Sequence, residues 1–151
     1  VSDAIAEVGL TEARRRHPAE LSGGMAQRTA LARALSRQPE ILLLDEPFSA
    51  LDEVTRGEMQ QLLRGVCRRH QTAAVLVTHD IDEALLLADR VVLIGGQPGR
   101  LVGSWSVDIP EPRADHVRAL AQLRLSVVEA LHQARAPAQQ PSPSEPLTYE
   151  I

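Results

Sequence analysis

Residues 41–53 read ILLLDEPFSALDE, and this stretch sets four aliphatic side chains directly in front of an Asp–Glu pair. A short aliphatic run without polar alternation is typical of a strand that is buried on both faces of a parallel sheet. In an open parallel sheet the ligand crevice lies at the carboxyl ends of the strands. Asp45 and Glu46 are therefore expected at a ligand-binding edge, although the same string also occurs at ordinary strand ends.

The segments around this strand alternate between helical and strand patterns. Apolar residues at helical spacing predict helices, continuous aliphatic runs predict strands, and turn residues separate the two. The predicted helices cover 22–37, a stretch around 59–66 and 81–88, and the predicted strands cover 41–44, 73–77 and 91–94, with an extended return over 100–107. This order predicts an α/β fold with a parallel sheet and right-handed crossovers.

Composition and charge exclude several functional classes. With 151 residues and 44% hydrophobic content the chain fits one globular domain. Only 2% of the residues are aromatic and the formal net charge is -4, so no nucleic-acid partner is expected. The single cysteine, Cys67, excludes an internal disulfide framework and fits a reducing compartment. No apolar run approaches the roughly 20 residues of a membrane span, so we expect a cytoplasmic chain.

Two further features point to a phosphate ligand with a divalent cation. Residues 21–25, LSGGM, place two glycines at the start of a helix, where free backbone N–H groups and the helix dipole favour an anion. A flexible turn before a capped helix is the alternative. His79 and its neighbours follow the strand 73–77, so two strands deliver polar groups to one edge. Mg²⁺ needs only one or two carboxylates, which leaves Glu46 to polarise a water molecule.

Three segments in order carry a family resemblance: LSGGMAQRTALARAL, then ILLLDEPFSALD, then VLVTHDIDEALLLADRVVLI. They resemble the signature motif, the Walker B strand with its D-loop, and the switch-histidine segment of the ATP-binding subunit of an ATP-binding-cassette (ABC) transporter. The resemblance covers residues 21–95 and extends to about residue 113. It implies the parallel-sheet core of a P-loop NTPase, with ATP and Mg²⁺ as cofactors.

The resemblance also implies roles for the residues at the predicted edge. Asp45 would hold Mg²⁺ through a water molecule, and Glu46 would orient or deprotonate the hydrolytic water. His79 would contact the γ-phosphate and sense its presence. Glu46 and His79 are thus the expected catalytic residues, and Asp45 is the expected metal ligand.

A second set of roles concerns a nucleotide shared between two subunits. The resemblance implies that Ser22, Gly23 and Gly24 contact the γ-phosphate of a nucleotide held mainly by the opposite subunit of a head-to-tail dimer. Met25 occupies a signature position that is more commonly Gln, and we expect only tuning from this change. Residues 49–52, ending in Asp52, would form the loop that crosses the dimer interface.

The sequence departs from the family pattern at its front. It contains no GxxxxGK[ST] loop, and all 16 basic residues are arginine, so no lysine is present to complete one. The first methionine is Met25, and residues 1–20 resemble the end of a helical subdomain, so we expect a C-terminal part of a longer protein. Alone, it is expected to hydrolyse ATP poorly and, with an aliphatic sheet edge left open, to be poorly soluble.

The resemblance also suggests a subfamily and partners. The segments LADRVVLIGGQPGRL and VDIPEPR resemble importers of nitrate, sulfonates and taurine. Expected partners are a second nucleotide-binding subunit, the transmembrane permease subunits and, indirectly, an extracytoplasmic solute-binding protein, at the cytoplasmic face of the plasma (inner) membrane. The transported solute stays undetermined, because this subunit does not contact it.

Domain organisation and alternatives complete the expectations. Residues 1–112 are predicted as the nucleotide-binding part, with a signature region at 1–38 and an α/β core at 39–112. An amphipathic helix at 113–135 is expected to pack on the domain rather than lie on a membrane, and 136–151 form a Pro- and Ser-rich tail expected to be disordered. The functional alternatives are a non-hydrolytic module that supplies signature and D-loop surfaces to a partner, and a soluble ABC ATPase of repair or translation.

Overall fold

The computed structural model describes residues 2–135, which form five α-helices and four strands. In chain order these are α1 (Ser2–Glu7), α2 (Gly23–Leu35), β1 (Ile41–Asp45), α3 (Glu53–His70), β2 (Ala73–Val77), α4 (Ile81–Leu87), β3 (Arg90–Gly95), β4 (Arg100–Ser106) and α5 (Val117–Arg135). The tail predicted at 136–151 lies outside the described residues.

β1 and β2 form a parallel pair, as the sequence predicts. Their partners run in unbroken register from Ile41 with Ala73 to Asp45 with Val77. The intervening α3 has 18 residues, which gives the chain the length that a parallel crossover requires. Both strands therefore end at the same edge.

The third predicted strand pairs differently from the prediction. β3 does not join β1 and β2 in one parallel sheet but pairs antiparallel with β4, from Arg90 with Ser106 to Gly95 with Arg100. The short connection between them favours this local pairing, and Gly96 adopts the positive φ of 82° that its turn requires. The extended return at 100–107 is thus confirmed, and a single three-stranded parallel sheet is wrong for the described residues.

Two aliphatic clusters form the core. The larger one packs α1, α2 and α3 against one face of the β1–β2 pair, and the smaller one lies between α4, the β3–β4 hairpin and α5. Phe48, only 2% exposed, is the largest side chain among those buried in the first cluster. Buried members of the two clusters include Val8, Leu31, Leu35, Leu42, Met59, Leu63 and Val66 in the first, and Leu85, Val91 and Val107 in the second.

The terminal helix α5 packs on the domain. It buries Val127 to 2% exposure, and Arg124 pairs with Asp82 of α4 at 2.8 Å. Within residues 2–135, no helix combines the length and the apolar character that crossing a membrane would take.

One face of the β1–β2 pair is left uncovered. Ile41 is 57% exposed and Leu43 79% on β1, and Val75 is 52% and Val77 56% on β2. Because directly paired residues of parallel strands share a face, these four aliphatic side chains form one apolar patch. Such a patch favours association with other chains.

We predict that the 151-residue chain self-associates and that Leu43→Lys suppresses this. Position 43 is exposed, so the lysine is solvated and the free energy of unfolding should change by less than about 0.5 kcal/mol. Leu42→Lys is the matched control: Leu42 is 4% exposed, so a charge there should cost several kcal/mol and unfold the protein. Sedimentation velocity over a concentration series, with urea unfolding, measures both. A wild-type chain that stays monomeric throughout would contradict the prediction.

Candidate functional site

The carboxyl ends of β1 and β2 lie side by side. Asp45 ends β1 opposite Val77, which ends β2. Glu46 extends this pairing by one residue, because its backbone N–H donates to the Val77 carbonyl at 2.9 Å. The residues that follow the two strands, Glu46 and His79, therefore leave the sheet at the same edge.

Glu46 and His79 are in direct contact. Oε1 of Glu46 lies 2.7 Å from Nδ1 of His79 and accepts the His79 backbone N–H at 3.1 Å. The pKa of His79 is raised above its ordinary value of 6.5, first by the hydrogen bond between the two side chains and second by the negative charge of Glu46. The His79 side chain is 81% exposed, so solvent screens the pair, and the contact orients the ring more than it stabilises the fold.

The backbone of Glu46 is strained and held in place. Its φ of 45° lies in the left-handed region, which costs a non-glycine residue on the order of 1 kcal/mol. Two hydrogen bonds hold the Glu46 backbone in this conformation. Its N–H donates to the Val77 carbonyl, and its carbonyl accepts the Ser49 hydroxyl at 3.0 Å. The Glu46 carboxylate on this backbone contacts His79.

Asp45, the last residue of β1, carries an exposed carboxylate at the same edge of the sheet. Within residues 2–135, no three His, Cys, Asp or Glu side chains come close enough together to hold a metal ion by themselves. Mg²⁺ needs no such cage, since it takes one or two carboxylates and fills its remaining positions with water and phosphate oxygens. The donors at this edge thus fit a Mg²⁺ ion that arrives with a polyphosphate.

The glycine turn forms the capped start of α2. Ser22 is the N-cap, and its Oγ accepts the Met25 backbone N–H at 3.3 Å. Gly23 opens onto free space, whereas a Cβ on Gly24 would lie 2.6 Å from Cγ2 of Thr55. Gly24 is therefore required by the close approach of α2 to α3, and Gly23 leaves its backbone accessible.

The start of α2 and the start of α3 share a recess of about 360 Å³, lined by Gly23, Ala26, Gln27, Ala50 and Leu51. Asp52 caps α3, with Oδ1 accepting the Thr55 backbone N–H at 3.0 Å. Hydrogen bonding from the Thr55 side chain, and then from its backbone N–H, lowers the pKa of Asp52. The loop that precedes α3 is thus fixed beside the glycine turn.

The candidate residues fall into two groups. Asp45, Glu46 and His79 share the strand edge. Ser22, Gly23, Gly24 and Met25 lie at the start of α2, and Asp52 at the start of α3. Sequence reasoning missed Thr55, whose methyl group sets the distance between the two helices, and the second glycine of the turn is the signal that could have indicated such a contact.

Comparison with known proteins gives a consistent result. A family model described as ABC transporter matches residues 1–49. An aliphatic sulfonates import ATP-binding protein of Xanthomonas axonopodis pv. citri is 50% identical over 134 residues, covering 87% of this chain and 53% of the relative. A bicarbonate transport ATP-binding protein of Synechocystis sp. is 54% identical over 114 residues, covering 75% of this chain and 17% of the relative.

The chain belongs to the ABC transporter family of ATP-binding proteins. The resemblance of the three motif segments is thereby confirmed. This ABC chain spans about half the length of the sulfonate-import relatives that it matches, 53% of one and 49% of another.

Solved structures agree with the fold of this ABC chain. An inward-facing metal-chelate type ABC transporter superposes with a TM-score of 0.62 at 29% identity, over 66% of this chain and 40% of the other. An ATP-binding cassette of an ABC transporter in its ADP conformation gives a TM-score of 0.69 at 16% identity, over 87% and 48%; at that identity it shows the fold alone. The predicted P-loop NTPase fold class is confirmed.

We predict that Glu46→Gln lowers the pKa of His79 toward 6.5, because it weakens the hydrogen bond and removes the negative charge that raise this pKa. Because the pKa of His79 is higher in the folded state, its protonation stabilises the fold fully below the unfolded-state pKa of about 6.5. This stabilisation is lost as the pH rises through the folded-state pKa of His79. NMR titration of the His79 ring measures the shift. Glu129→Gln, on the exposed side of α5, is the matched control, and an unchanged pKa in Glu46→Gln would refute the assignment.

We also predict that Gly24→Ala destabilises the protein by about 1–3 kcal/mol, because the added Cβ overlaps the Thr55 methyl group. Combining it with Thr55→Ser, which removes that methyl group, should restore most of the loss. Gly23→Ala is the control: it meets no atom within 4 Å and should be neutral or gain up to about 1 kcal/mol from helix propensity. Urea unfolding measures all four proteins. Equal effects at the two glycines would disprove the packing account.

Proposed function

We propose that this chain is the part of an ATP-hydrolysing import subunit that carries the catalytic carboxylate and the switch histidine. The observation that supports the proposal most directly is the 2.7 Å contact between Glu46 and His79 at the edge where Asp45 also ends its strand. Together these residues offer a metal ligand, a base and a phosphate sensor at one place.

Glu46 is the proposed general base. Its carboxylate is held by the strained backbone on one side and by His79 on the other, so it needs little reorganisation to accept a proton from water. Asp45 would hold Mg²⁺ through water. When bound, the ion would supply positive charge to a polyphosphate.

His79 is the proposed sensor of the terminal phosphate. Glu46 engages Nδ1, which leaves Nε2 of the ring to donate toward a γ-phosphoryl oxygen. The raised pKa of His79 favours the imidazolium, in which both ring nitrogens are donors. The His79 ring can therefore bind the γ-phosphate through Nε2 while Nδ1 keeps the Glu46 carboxylate in place.

The second group of residues is assigned to a nucleotide held by another subunit. The 151 residues contain no lysine and no GxxxxGK[ST] motif, so we propose that a phosphate loop outside this chain holds the nucleotide. Ser22, Gly23 and Gly24 would then contact the γ-phosphate across a head-to-tail dimer, with Met25 and Asp52 beside it. Alone, the chain is expected to bind and hydrolyse ATP poorly.

The transport role is inferred from the relatives, whose names specify import of aliphatic sulfonates and transport of bicarbonate. We assign this chain to an import system for small anions of the sulfonate, nitrate or bicarbonate class. Its partners would be a second ATP-binding subunit, transmembrane permease subunits at the cytoplasmic face of the plasma (inner) membrane and, indirectly, an extracytoplasmic solute-binding protein.

The test joins this chain behind the front half of the Xanthomonas relative, which restores a complete ATP-binding protein. We predict that Glu46→Gln lowers the rate of ATP hydrolysis by a factor of about 10²–10⁴, the range for loss of a general base, while nucleotide still binds. Glu129→Gln is the control and should hydrolyse ATP at the parent rate. Undiminished turnover in Glu46→Gln would overturn the assignment.

A non-hydrolytic role is the competing outcome. In that case the chain would only supply the recess formed by the starts of α2 and α3 to a partner ATPase, and the joined protein would bind nucleotide without any turnover. Micromolar ATP binding by the 151 residues alone would contradict both roles, because neither provides a phosphate loop within the chain.

A further inference from the structure

Residues 107–113, VDIPEPR, connect β4 to α5 and take no part in the proposed chemistry. We call this stretch the brace segment. It begins with the buried Val107 and ends with Arg113, whose side chain is only 5% exposed. A buried arginine needs a partner for each of its donors, and the partners of Arg113 indicate what the segment does.

Arg113 binds the C-terminal end of α4. Its Nη1 donates to the carbonyls of Leu85 at 3.2 Å, Leu86 at 3.3 Å and Ala88 at 2.8 Å. The last carbonyls of a helix have no partner within the helix, and the helix dipole places partial negative charge there. The guanidinium satisfies both needs at once.

The other side of the guanidinium faces the brace segment itself. Nε donates to the Ile109 carbonyl at 3.4 Å and Nη2 to the Val107 carbonyl at 3.5 Å. Nη2 also reaches Asp89 at 3.2 Å, but that carboxylate is fully exposed, so solvent screens the pair. Arg113 thus joins the end of α4 to the end of β4.

A second link ties the brace segment to α3. Glu111 pairs with Arg68 at 3.1 Å and also with Arg64. Arg64 in turn donates to the Leu86 carbonyl at 3.0 Å. Burial, followed by the positive charges of Arg113 and Arg68, lowers the pKa of Arg64. Glu111 places a carboxylate in contact with both Arg64 and Arg68. The end of α4 is therefore fixed against α3.

The opposite end of α4 carries the site. Asp80 caps the helix, with Oδ1 accepting the backbone N–H groups of Asp82 at 2.9 Å and Glu83 at 3.1 Å, and His79 directly precedes it. The seven residues of α4 separate its two ends by about 10 Å, because an α-helix rises about 1.5 Å per residue. A displacement of α4 at its Arg113 end would therefore also move Asp80 and His79 at the other end.

Two other contacts to α4 are weaker candidates for this role. Arg124 and Asp82 are 52% and 62% exposed, which limits the strength of their ion pair. Gln60 reaches Glu83 through one hydrogen bond of 3.2 Å. Arg113 makes more contacts and makes them at a buried site.

We propose that Arg113 is a positioning residue for His79: by holding the C-terminal end of α4 against the end of β4 and the brace segment, it keeps the His79 ring and main chain at hydrogen-bonding distance from Glu46. The functional meaning of this position rests on the proposed role of His79. The restraint itself is a property of the chain and can be measured without ATP.

The test is amide hydrogen exchange in Arg113→Ala, read by mass spectrometry at single-residue resolution and low micromolar concentration. The His79 N–H donates to Glu46, so its exchange reports on the contact. We expect its exchange, and that of the α4 amides Ala84 and Ala88, to rise about tenfold or more relative to Leu63 and Val66 of α3, because local opening precedes global unfolding. Arg118→Ala, at an exposed position five residues further on, should leave all five unchanged.

Arg113→Lys keeps the charge but reaches fewer carbonyls, and an intermediate, equally selective rise is expected. If Arg113→Ala unfolds, this variant alone decides. A proportional rise in α3 and α4 would mean that Arg113 only stabilises the fold, and an unchanged His79 amide in a folded variant would mean that it restrains nothing; either result overturns the proposal. Because no nucleotide is involved, failure of the hydrolysis experiment leaves this test intact.

Discussion

The parallel pairing of β1 with β2 is the constraint on which the candidate site depends. The register from Ile41 with Ala73 to Asp45 with Val77 brings both strands to an end together. A slip of one residue would exchange the faces of Leu42 and Leu43 and displace Glu46 from His79. The covered face of this pair packs Leu42 against α2 and α3, and the register of the pair sets where Glu46 and His79 leave the sheet.

Much of this arrangement could be predicted from the sequence, because the deciding signals are local. The aliphatic runs of β1 and β2, the Ser22 cap and the acids after Leu44 each specify structure within a few neighbouring residues. Two such runs separated by a helix leave few ways to pair. The proximity of Glu46 and His79 follows from that pairing.

The rest depends on contacts between distant parts of the chain. Nothing in the pattern of β3 distinguishes a parallel from an antiparallel partner, and the short turn after it decides the matter. In the sequence Arg113 is one of 16 arginines and resembles a surface residue. Only the fold shows that it is buried against the C-terminal end of α4. The 2.6 Å that separates a Cβ on Gly24 from Thr55 is likewise invisible without the helix packing.

The recess between the starts of α2 and α3 is electrically uneven. The first turn of α2 lines this recess, and its N-cap is the neutral Ser22. The loop residues Ala50 and Leu51 line the other side, and the helix that follows them, α3, is capped by the carboxylate of Asp52, which opposes the positive end of that helix dipole. The N-terminal ends of α2 and α3 therefore differ in the electrostatic potential that they offer to an anion. An anion in this recess would meet a more positive potential beside Gly23 than beside Asp52.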